Sequence, residues 1–152
     1  CRLTERWRML VEIRKIDDNL SVAPQIAVQD VAEIARLGFK TLVANRPDRE
    51  EPGQPSMADI EAAAAEHGLK WVYLPVESGN ITDADVDNFA PMIRDADKPV
   101  FAFCRSGTRC TVLWALSAAR ELDPREILTR AHRAGYDITG LIPRLQQQAD
   151  QH

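Results

Sequence analysis

Cysteine is scarce in this chain, with three among 152 residues, at positions 1, 104 and 110. So few, so spaced, cannot staple a small secreted scaffold, and no Cys/His spacing resembles a zinc site. Long apolar runs are missing as well, and none approaches the length that spans a bilayer. Positive charge is not in excess: 19 Lys and Arg face 23 Asp and Glu, a net of -4. Without a basic stripe interleaved with aromatics, nucleic acid is not an expected partner. Neither a Gly-x-Ser-x-Gly elbow nor a dinucleotide fingerprint occurs, so no cofactor is expected. A cytoplasmic, reducing setting is the simplest one for a working thiol. Cys1 stands where an initiator methionine would, and reads as the frayed end of a cut or processed chain, a periplasmic or lipid-anchored terminus being the lesser alternative. Nothing in the pattern fixes an oligomeric state.

What is present concentrates at Cys104-Arg105-Ser106-Gly107-Thr108-Arg109. The apolar run Val100-Phe101-Ala102-Phe103 before it reads as a buried strand, and Cys110 to Leu116 after it reads as a helix. A cysteine at a strand end, a glycine turn and an arginine at a helix start make an anion cradle with a nucleophile at its base. Turn amides and the helix dipole favour negative charge there and favour the thiolate. Gly107 lets the turn close, Arg109 offers a planar fork for oxyanions, Ser106 and Thr108 supply hydroxyls, and Arg105 adds positive potential. Cys110 reads equally as a buried first-turn helix residue or as a second thiol able to pair reversibly with Cys104.

Along the rest of the chain, Asp17-Asp18-Asn19 between two short apolar runs signals a hairpin. A helix through Val31 and Ile34 stops at Gly38, and a strand spans Lys40 to Ala44. Ser56 with Asp59 imitates a capping box, as does Thr82 with Asp85. A strand covers Trp71 to Val76, Pro91 should kink the helix that holds it, and Asp123-Pro124 opens another. The last helix passes Leu141, Ile142 and Leu145, with a loose tail beyond. Trp71 and Trp114 read as core, and His67 and His132 as surface or helix-end residues. Alternating strands and helices imply a compact α/β domain, a mostly parallel sheet flanked by helices, over residues 13–148 with an extension at 1–12. Ligands of such sheets lie beyond the carboxyl ends of the strands, so the loops 45–51, 77–80 and 104–109 should share one rim.

The sequence Cys-Arg-Ser-Gly-Thr-Arg resembles the active loop of rhodanese sulfurtransferases, while the order of elements resembles the dual-specificity phosphatase scaffold. Asn45-Arg46-Pro47-Asp48-Arg49-Glu50-Glu51, the 104–110 loop and Leu113-Trp114 together resemble the beta-lactamase hydrolase-like, phosphatase-like domain family. That resemblance covers Ile13 to Gln147. It implies a dual-specificity phosphatase-like fold with Cys104 as nucleophile, and its biochemical label is divided between phosphatase and sulfurtransferase. Tyrosine phosphatases place five residues between cysteine and arginine; here four stand between Cys104 and Arg109. Their preceding histidine is Phe103 here, and their following serine or threonine is Cys110.

Their aspartic general acid has no clear counterpart. Glu77 or Asp48 are the candidates, with Arg46 on the same rim. Without an acid an alkoxide leaves poorly. Sulfur transfer from thiosulfate or a persulfide needs none, because sulfite or a thiolate leaves already stabilised. The expected reaction is therefore sulfur transfer through a Cys104 persulfide to a thiol acceptor. Phosphoester hydrolysis through a Cys104 phosphocysteine is the alternative, and a thiol redox sensor or anion-docking module the further one.

Overall fold

The computed structural model describes residues 12–77 and 79–151. Cys1 and almost all of the expected extension at 1–12 lie outside them. Five strands pair in one sheet in the order β1-β2-β5-β3-β4, where β1 is Arg14–Lys15, β2 Leu20–Ala23, β3 Thr41–Ala44, β4 Lys70–Tyr73 and β5 Val100–Phe103. Among the described residues only β1 is antiparallel; β2, β5, β3 and β4 run parallel. The expected hairpin is thus real but short. Asp17 Oδ1 closes it by accepting from the amides of Asn19 (2.8 Å) and Leu20 (2.9 Å).

The helices are α1 (Asp30–Arg36), α2 (Met57–Glu66), α3 (Asp83–Asp95), α4 (Thr108–Ala118), α5 (Pro124–Arg133) and α6 (Ile142–Gln151), the last entered through a 3-10 turn at Thr139–Leu141. Two-residue periodicity in the strands decides which layer each side chain joins. Phe101 and Phe103 of β5, with Leu42 and Ala44 of β3, pack against Val31 and Ile34 of α1 and Ile60 and Ala64 of α2. Val100 and Ala102, with Val43, face the opposite layer, where Val86, Phe89, Leu113, Leu116, Ile127 and Leu145 come from α3 to α6. Trp114 is buried in that layer, and Trp71 packs beside the first one.

Several local expectations resolve in detail. Thr82 and Asp85 form a complete capping box, whereas Ser56 accepts only from the Ala58 amide. Asp123 caps α5 through the Arg125 amide. Helix α3 continues through Pro91 to Asp95. The strand expected to reach Val76 ends at Tyr73. Its neighbour β3 ends opposite at Ala44, and beyond that point the amides of Leu74 and Val76 still donate to Ala44 O (2.9 Å) and Asn45 O (3.2 Å). The tail expected to be loose is helical to Gln151, because Leu145 is fully buried and Gln148 bonds both Asp83 and Arg120. His67 and His132 are exposed.

Candidate active site

Cys104 is the next residue in phase after Val100 and Ala102, so the pleat of the central strand aims its sulfur at helix α4. Its amide donates to Ala23 O (3.2 Å), and the neighbouring Asn45 amide donates to Phe103 O (2.9 Å). The strand end is thereby pinned on both sides. The chain then turns through Gly107, which caps α4 in the left-handed region at φ 92°. Here glycine is required twice over. That φ disfavours a side chain, and a Cβ would fall on the Tyr136 hydroxyl. Tyr136 Oη donates to Ser106 O (2.9 Å), strutting the loop from the end of α5, and burial raises its own pKa to about 12.

Within this turn the Gly107 amide donates to Cys104 Sγ at 3.1 Å. The Cys104 pKa falls to about 6. The Cys110 thiol contributes most, donating to the sulfur; burial opposes it, and the amides of Cys110, Gly107 and Ser106 add to the lowering. Cys110, fully buried, moves the other way, raised by burial and by the Cys104 sulfur beside it. The sulfur of Cys104 lies beneath the loop, at 0% exposure.

Above the loop opens a cleft of about 840 Å³. Its walls come from all three expected loops, through Glu50 and Glu51, Gly79 and Asn80, and Arg105, Ser106, Thr108 and Arg109. A fourth wall, unforeseen from the sequence, is Leu141 and Arg144 at the start of the last helix, facing Ile81 and Val112. Arg144 is held there by Ile81 O (3.0 Å) and Asp83 (3.2 Å).

Arg109 is 7% exposed and firmly oriented. Its Nη1 donates to Glu50 Oε2 (2.9 Å) and Val76 O (3.1 Å), and its Nη2 to Glu50 Oε1 (2.8 Å). Among the described residues, Nε–H and the second Nη2–H have no protein partner. Those two donors form the side-on fork of the guanidinium, the geometry that grips an oxyanion. Glu50 is in turn gripped by Arg46 Nε (2.8 Å), and Arg109 holds its pKa below the ordinary carboxylate value, with Arg46 assisting. Arg46 is 3% exposed; it also donates to Gln25 Oε1 (3.0 Å) and Glu51 Oε1 (2.5 Å), and Arg105 Nε reaches that same Glu51 oxygen at 2.9 Å. A chain of alternating charge, Arg109–Glu50–Arg46–Glu51–Arg105, thus runs from the floor of the cleft to its rim.

Sequence reasoning missed Glu50 and Glu51, although both stand in the quoted 45–51 run. The available signal was their spacing, since a residue four beyond Arg46 can return to it. Arg46, expected only on the rim, is the buried hub. Asp48 and Glu77 do not line the cleft. The Asp48 carboxylate accepts from the Met57 amide at the start of α2 (3.2 Å), and exposed Glu77 bridges to Asn80. No described helix is long and apolar enough to cross a membrane.

Residues 12–121 match the family model for the beta-lactamase hydrolase-like protein, phosphatase-like domain. A beta-lactamase hydrolase-like protein of Agrobacterium fabrum is 32% identical over 137 residues, 89% of this chain but 32% of that protein. The chain thus spans about a third of the length of the curated relatives it matches. A crystal structure of a candidate phosphatase from Neisseria meningitidis superposes with a TM-score of 0.80 at 39% identity, covering 90% of this chain and 98% of that one. TpbA of P. aeruginosa, at 17% identity, TM-score 0.65 and coverages of 95% and 86%, shares the fold. The central strand, its cysteine loop and the charged run that braces it therefore belong to a phosphatase-like α/β domain, and the chain is a member of the beta-lactamase hydrolase-like protein, phosphatase-like domain family.

Proposed function

We propose that this domain is a thiolate-dependent sulfurtransferase that passes a sulfane sulfur through Cys104. One observation carries the reading: among the described residues, no carboxylate lining the cleft is free to act as a proton donor. Glu50 is held by Arg109 and Arg46, and Glu51 by Arg46 and Arg105. Asp48 caps the start of α2, and Glu77, exposed beside the cleft-lining Gly79 and Asn80, is not itself among the lining residues. A reaction whose leaving group needs no proton suits such a site.

In the first step the Cys104 thiolate attacks the outer sulfur of thiosulfate. A Cys104 persulfide anion forms as sulfite departs with the electrons of the broken S–S bond. Turn amides that stabilise the thiolate also stabilise that persulfide, and the side-on fork of Arg109 holds the sulfonate oxygens. Cyanide or an acceptor thiolate then takes the outer sulfur and regenerates Cys104. An organic persulfide would donate in the same way, with a thiolate leaving.

The test pairs a thiosulfate:cyanide assay with intact mass spectrometry after thiosulfate alone. Thiocyanate formation and an adduct of about 32 Da on Cys104, removed by dithiothreitol, are expected. The absence of both products would end this reading.

A second reading is phosphoester hydrolysis through a Cys104 phosphocysteine. The family description and the candidate phosphatase at 39% identity favour it, and the free fork of Arg109 fits a phosphoryl group as well as a sulfonate. It expects steady aryl-phosphate turnover that is lost in Cys104→Ser, without thiocyanate formation. Because no free acid lines the cleft among the described residues, turnover should then depend steeply on the acidity of the leaving alcohol.

A further inference from the structure

Two thiols are buried beneath the loop that lines this cleft, and the chemistry proposed above uses one. Cys104 ends β5 and Cys110 is the third residue of α4, yet the turn between them doubles the chain back so that both enter one layer of the core. Both cysteines are free, both are at 0% exposure within one core cluster, and each is among the groups that shift the other's pKa. Side chains so enclosed have few alternative rotamers, so the sulfurs stay neighbours.

We propose that Cys110 is a resolving thiol, which converts peroxide damage at Cys104 into a reversible Cys104–Cys110 disulfide. The oxidant class is a hydroperoxide, small enough to enter the cleft that Ser106 and Thr108 of the same loop line. The Cys104 thiolate attacks the distal peroxide oxygen. The O–O bond breaks, hydroxide or alkoxide leaves, and Cys104 becomes a sulfenic acid, oxidised by two electrons. The Cys110 sulfur then attacks that sulfur. An S–S bond forms, the S–O bond breaks, and the Cys110 proton leaves with the hydroxyl as water. Low pKa and contact with a second thiol are the two conditions for this fate over further oxidation.

The partner sulfur is deep, which argues for protection rather than traffic with other proteins. Ordinary disulfide geometry needs the sulfurs about 2.05 Å apart, and two buried cysteines that enter one core cluster from either end of a single turn are placed to close that distance. While the bond persists, Cys104 is no nucleophile. A dithiol restores both thiols, whereas a sulfinic acid would be permanent.

The experiment treats the intact chain and Cys110→Ser with hydrogen peroxide, then reads intact mass, tryptic peptide maps and iodoacetamide labelling of Cys104 before and after dithiothreitol. The readout is the oxidation state of sulfur, so it is independent of which group the enzyme transfers. The unsubstituted chain should lose about 2 Da, join the peptides holding Cys104 and Cys110, and recover full labelling on reduction. Cys110→Ser should instead gain about 32 Da, two oxygens on Cys104, and recover less than a tenth of its labelling. Cys110→Ala, with circular dichroism to verify its fold, repeats the test without a hydroxyl in that position. The proposal is overturned if the unsubstituted chain and these variants reach the same irreversible mass, or if the disulfide maps to Cys1.

Discussion

Cys104 and Cys110 are equally buried and lie in one layer, yet their surroundings shift their pKa values in opposite directions. Burial alone pushes any thiol up, and it does so at both positions. The difference is orientation. Cys104 sits inside the turn, where the amides of Ser106, Gly107 and Cys110 converge with a thiol donor. Cys110 is already in the helix, so its surroundings supply fewer donors and one neighbouring negative sulfur. Position relative to the turn, rather than depth, makes one sulfur a nucleophile and the other its hydrogen-bond donor.

The comparison breaks first if the two cysteines prove interchangeable. Cys104→Ser should lower turnover at least about 1000-fold, whereas Cys110→Ser, which keeps a donor, should cost about tenfold or less. Initial rates on whichever substrate is active decide this. Arg109→Lys should cost about 100-fold, because lysine keeps the charge but loses the side-on fork. Glu50→Gln, which leaves Arg109 whole but loosely aimed, should cost about tenfold in kcat with a smaller change in KM.

The pH profile sharpens the contrast further. With Cys104 titrating at about 6, kcat/KM should fall tenfold per unit below that point and level off above it. Cys110→Ala removes the strongest contribution to that lowering, so the midpoint should move upward, toward neutrality. A profile unchanged by Cys110→Ala would show that the amides alone set the Cys104 charge. The smallest expected effect is Tyr136→Phe, which removes the strut to Ser106 O. It should cost about 1 kcal/mol of stability by denaturant titration and a few-fold in kcat.

Much of this was legible in the sequence, for physical reasons. The alternation across Val100 to Cys104, the single glycine before the helix and the arginine after it encode a strand, a turn and a cradle locally, and topology then brings three loops to one rim. Other features depend on contacts distant in sequence. That Glu50 aims Arg109 requires two residues 59 apart to meet, and only the layer arrangement brings them together. The fourth wall, Leu141 and Arg144, depends on how the last helix docks on α3. Asp48 looked available because a carboxylate in a polar loop has no visible obligation; the unpaired amide of Met57 at a helix start claims it.

The facing of the reactive sulfur follows from parity along β5. Residues 100, 102 and 104 share one side of the sheet, and 101 and 103 the other. Inserting or deleting a single residue between Val100 and Cys104 would therefore carry the sulfur to the α1–α2 side, behind the sheet and out of reach of every amide in the turn. Length changes in this strand can preserve chemistry only in steps of two, a constraint that falls on the number of residues rather than on their identity.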